Sequence, residues 1–139
     1  MTEMETLTDQ FWTQGYLVLE DFFEPSLMAA VDRSITGYFG DDPDFRHEKE
    51  FLSRSKTEVI PWFPQNPELE DYSPSSAALF DKIESASGLA ELTGVILDEE
   101  WSALYSMVMF SRQGTVGQAW HQDCPPEDGS RFNLNRLVY

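Results

Sequence analysis

Residues 118–139 read Gln-Ala-Trp-His-Gln-Asp-Cys-Pro-Pro-Glu-Asp-Gly-Ser-Arg-Phe-Asn-Leu-Asn-Arg-Leu-Val-Tyr. His121 and Asp123 stand two apart, and residues i and i+2 of an extended segment project to the same face. An imidazole and a carboxylate so placed can reach one metal ion. Completed by a second histidine, they make the facial triad of non-haem Fe(II) oxygenases, which leaves coordination positions open. His-x-Asp by itself is a frequent coincidence in so acidic a chain, so its surroundings matter more. Trp120 puts the pair at the end of an apolar run. Pro125, Pro126, Asp128 and Gly129 then read as a loop leaving a strand. Phe132–Tyr139 reads as the strand that follows. Strand, ligand pair, loop and strand together can hold a metal at the mouth of a barrel.

Trp-His-Gln-Asp-x-Pro-Pro followed by Asn-Leu-Asn-Arg-Leu-Val-Tyr resembles the phytanoyl-CoA dioxygenase-like family of iron(II)/2-oxoglutarate-dependent oxygenases. Gly15-Tyr16-Leu17-Val18-Leu19-Glu20-Asp21-Phe22-Phe23 is similar to that family's opening. The resemblance runs from Phe11 to Tyr139, more loosely between Asp41 and Ser73. It implies an α+β fold, with N-terminal helices packed on a partial double-stranded β-helix, the jelly roll. It implies Fe(II) and 2-oxoglutarate as cofactors, with His121 and Asp123 as the first two iron ligands. The implied reaction is hydroxylation of a C–H bond in a small organic or acyl substrate, coupled to decarboxylation of 2-oxoglutarate to succinate. The family's third ligand is a downstream histidine, and a basic residue beyond it binds the far carboxylate of 2-oxoglutarate. Neither has a counterpart after Asp123 in these 139 residues. The expectation is a single domain, 1–139, forming the N-terminal part of such a jelly roll. A C-terminal half or self-association would complete it, covering an apolar edge near Met107, Trp120 and Leu137. The alternative is a non-catalytic fragment, or a degenerate binding subunit that keeps the scaffold.

Composition narrows the partners. Twenty-five acids against nine bases give a net charge of −16. Such a chain repels phosphate backbones and anionic membrane surfaces, so neither nucleic acid nor membrane is expected. A small-molecule substrate is. The one cysteine, Cys124, excludes an internal disulfide and suits a reducing compartment. No apolar run approaches the length of a membrane span. Glu3 and Glu5 stand where a signal peptide would be basic. A cytoplasmic location is the expectation.

Local signals place the elements. A short helix is expected over Thr6–Gln14, capped by Thr6 or Thr8 and ended by Gly15. Tyr16–Leu19 is a candidate buried strand. Pro25 opens a helix whose apolar face is Leu27, Met28, Val31, Ile35, Tyr38 and Phe39, and Gly40 stops it. Asp41–Ser73, with Pro43, Pro61, Pro64 and Pro67, reads as a long ordered loop. Ser73 and Pro74 start another helix, which Gly88 ends, and Leu89–Leu97 forms the next. Trp101–Phe110 reads as a central strand, apolar on both faces. A turn over Ser111–Gly114 and a strand over Thr115–Trp120 lead back to the metal pair.

Other side chains could share the site. Arg112, Arg131 and Arg136 can each grip a carboxylate bidentately, and Arg136, on the strand after the ligands, is the best placed. A plain ion pair with one of the many acids is its alternative. Asn133 and Asn135 share one strand face, where they could hydrogen-bond a co-substrate. Met107, Asn135 and Arg136 are thus the candidates for cofactor binding, although methionine more often packs a core. His47 sits in a polar run and reads as solvated. Cys124 is poorly placed as a soft ligand.

Overall fold

The computed structural model describes residues 2–40, 59–98, 100–104, 106–111 and 133–139. Among them the elements are α1 (Glu3–Gln14), α2 (Pro25–Phe39), β1 (Val59–Trp62), α3 (Pro74–Glu84), α4 (Ser87–Leu97) and β2 (Val108–Ser111). The chain divides into two compact units: Met1–Phe22 with Glu84–Ala103 and Gln122–Tyr139, and Phe23–Ile83 with Leu104–His121.

In the first unit α1 packs against α4. Helix α1 begins earlier than the expected Thr6, because Thr2 caps it. The Glu5 N–H donates to Thr2 Oγ1 at 3.2 Å, and the Thr2 N–H donates to the Glu5 carboxylate at 2.7 Å. This capping box is written in the sequence as Thr2-x-x-Glu5. Gly15, at φ 83°, closes the helix by donating its N–H to the Phe11 carbonyl. Helix α4 buries Leu92, Thr93 and Ile96. The buried Thr93 hydroxyl is satisfied within its own helix, donating to the Leu89 carbonyl at 2.7 Å. Gly88 lies in the first turn of α4 and does not end α3. The Phe22 ring lies beside it, 3.4 Å from where a Cβ would stand.

The second unit is organised around Trp62. Pro25 and Gly40 bracket α2 as expected, and the Gly40 N–H donates to the Thr36 carbonyl. Helix α3 starts after Ser73, whose Oγ accepts the Ser76 N–H at 3.4 Å. A hydroxyl contact, Ser34 Oγ donating to Ser76 Oγ at 2.9 Å, ties α2 to α3. Strands β1 and β2 pair antiparallel, with Val59 opposite Ser111, Ile60 opposite Phe110, Pro61 opposite Met109 and Trp62 opposite Val108. Trp62 is only 3% exposed. Tyr38 stacks on it with ring centroids 4.1 Å apart, while Phe39 and Phe80 meet it edge-on at 6.1 and 5.5 Å. Phe39 stacks in turn on Phe110 at 4.8 Å. Offset stacks and edge contacts are the favoured geometries of aromatic quadrupoles.

The jelly-roll expectation is corrected. The described residues form four helices and one two-stranded antiparallel sheet. Of the described residues in the expected central strand Trp101–Phe110, Val108–Phe110 alone form a strand, extended by Ser111, and Leu104 is 67% exposed. The reason lies in the partner. Strand β1 offers four residues, and its Pro61 has no N–H to give to a ladder, which confines it to a short edge pairing. Tyr16–Leu19 pairs with no strand among the described residues, and Tyr16 and Val18 are exposed. Residues 133–139 carry no strand either. The expected strand Thr115–Trp120 lies outside the described residues.

Candidate functional site

His121 and Asp123 lie outside the described residues, as do His47, Cys124, Arg112 and Arg131. Among the described residues no group of three or more His, Cys, Asp or Glu side chains is placed to hold a metal. The donor chemistry of the pair still fits Fe(II): a borderline imidazole nitrogen with a hard carboxylate oxygen leaves room for a chelating co-substrate.

The three cofactor-binding candidates, Met107, Asn135 and Arg136, are among the described residues. Met107 belongs to the second unit and is 36% exposed, just before β2. Asn135 and Arg136 belong to the first unit, where Asn135 is exposed and Arg136 half-buried. Arg136 Nη1 donates to the carbonyl oxygen of Glu84, the last residue of α3, at 3.3 Å. Its guanidinium carbon sits 5.2 Å from the centroid of the Trp101 ring, within cation–π range. Met107 and Leu137 are exposed, and Trp120 lies outside the described residues.

The chain matches no known family model, no curated protein and no solved structure. No helix among the described residues is long and apolar enough to cross a membrane.

One polar contact escaped sequence reasoning. The Tyr38 hydroxyl donates to the Asp71 carboxylate, and the phenol is pushed up to about 12 from its ordinary 10.0. Burial is the larger cause, followed by the hydrogen bond and the negative charge of Asp71. Each disfavours the phenolate. The resulting stability is therefore fully present below pH 10 and is lost as pH rises through about 12. Tyr38 keeps 37% of its surface exposed, so solvent screening keeps the change small. Ring-carbon NMR shifts should show the Tyr38 resonance titrating late, and that resonance should be absent in Tyr38→Phe. Asp71→Asn should move that titration down without restoring the ordinary value, because burial persists.

Proposed function

We propose that this chain contributes the His121/Asp123 metal pair of an iron(II)- and 2-oxoglutarate-dependent dioxygenase acting on a small organic or acyl substrate. The observation that carries the reading is the run Trp120-His121-Gln122-Asp123-Cys124-Pro125-Pro126 with Asn133–Tyr139 after it. The bound iron would supply O2 activation coupled to 2-oxoglutarate decarboxylation. The chain's own part is to donate the imidazole nitrogen and the carboxylate oxygen. No histidine follows Asp123 in these 139 residues, so two protein ligands alone should bind metal weakly and turn over 2-oxoglutarate negligibly.

Mn(II), a paramagnetic stand-in for Fe(II), tests the reading. At substoichiometric metal, broadening of backbone resonances should centre on residues 119–125. Broadening spread over the acidic surface, or centred elsewhere, contradicts it. A second reading, a non-catalytic partner subunit, is favoured by exposed apolar side chains such as Leu104, Met109 and Leu137. It forecasts no focus at 121–123.

A further inference from the structure

Among the described residues, 133–139 join no strand ladder. Asn133, Asn135, Leu137, Val138 and Tyr139 are exposed, while Leu134 and Arg136 are half-buried. Arg136 makes two contacts of different kinds. Its Nη1 donates to the Glu84 carbonyl at 3.3 Å, and its guanidinium lies 5.2 Å from the Trp101 ring centroid. The last carbonyls of a helix lack intrahelical partners, and the negative end of the helix dipole lies there. A cation that donates to Glu84 O answers both needs. The indole is itself positioned, with Nε1 only 3.7 Å from where a Cβ on Gly94 of α4 would stand. A planar guanidinium can stack on a ring and donate in the same pose, which an ammonium cannot reproduce.

We propose that Arg136 is a positioning residue that anchors the run 133–139 to the end of α3 and to Trp101.

Backbone relaxation of the full chain tests the anchor. Wild-type order parameters at residues 134–136 should approach the roughly 0.85 of rigid backbone, and Arg136→Ala should drop them below about 0.6. Arg136→Lys should stay with the alanine variant, because the charge remains and the planar stack does not. Trp101→Ala should loosen the same residues. The double variant should be no looser than the worse single, as expected when two groups act in one contact. Unchanged order in Arg136→Ala overturns the anchor, and full rescue by lysine overturns the stack. Circular dichroism reports whether each variant keeps its helices. Should Trp101→Ala lose them, the Arg136 pair decides alone.

Discussion

Trp62→Ala is expected to destabilise the unit that contains it by about 3–5 kcal/mol, the range for truncating a large buried aromatic side chain. Trp62 is 3% exposed, and three rings converge on it. Its removal leaves a cavity between α2, α3 and the two strands, and Tyr38 loses the face on which it stacks at 4.1 Å. Folded domains hold only about 5–15 kcal/mol in all, so this loss should remove a large fraction of the unit's stability. Trp62→Phe keeps an aromatic face and should lose much less. Urea unfolding followed by circular dichroism makes the comparison. A Trp62→Ala midpoint near that of the wild type would show that the core lies elsewhere.

The second large effect belongs to the proposed metal pair. His121→Ala and Asp123→Ala should each weaken localised Mn(II) binding by at least about tenfold, since even outer partners of metal ligands are worth about 10–100-fold. Loss of a carboxylate also lowers the negative charge that gathers cations non-specifically. Asp128→Ala makes the same charge change five residues away and should leave the affinity near the wild-type value. Free Mn(II), measured by electron paramagnetic resonance, gives the affinities. Equal losses in Asp123→Ala and Asp128→Ala would reduce the site to diffuse attraction by a chain of net charge −16.

The helices were legible because their signals are local. Pro25 and Gly40 sit next to the ends they set, and Leu92 and Ile96, four apart, fall on one buried face. Thr2-x-x-Glu5 was equally local and would have placed the start of α1 correctly. The sheet was not legible, because alternation along Trp101–Phe110 names two faces but no partner. The partner, Val59–Trp62, sits in a proline-dense stretch that argues against strands. The aromatic residues of that stretch were the better guide, since Trp62 became the core of its unit. At the site, His121 and Asp123 were legible as donor types alone. The contact of Arg136 with Glu84 spans 52 positions, and no local pattern announces it. An arginine in an acidic chain suggests a carboxylate partner, whereas here a helix-end carbonyl and an indole face hold it.

The central claim is that His121 and Asp123 together hold an iron that 2-oxoglutarate can chelate. Anaerobic absorption spectroscopy tests it most directly, with Fe(II) and 2-oxoglutarate both at millimolar concentration to offset a two-ligand site. The account predicts the visible charge-transfer band of a 2-oxo acid chelated to Fe(II), present only when protein, metal and 2-oxoglutarate are combined. That band should be lost in His121→Ala and in Asp123→Ala. A folded wild-type chain that gives no such band, or one that survives both substitutions, would contradict the account.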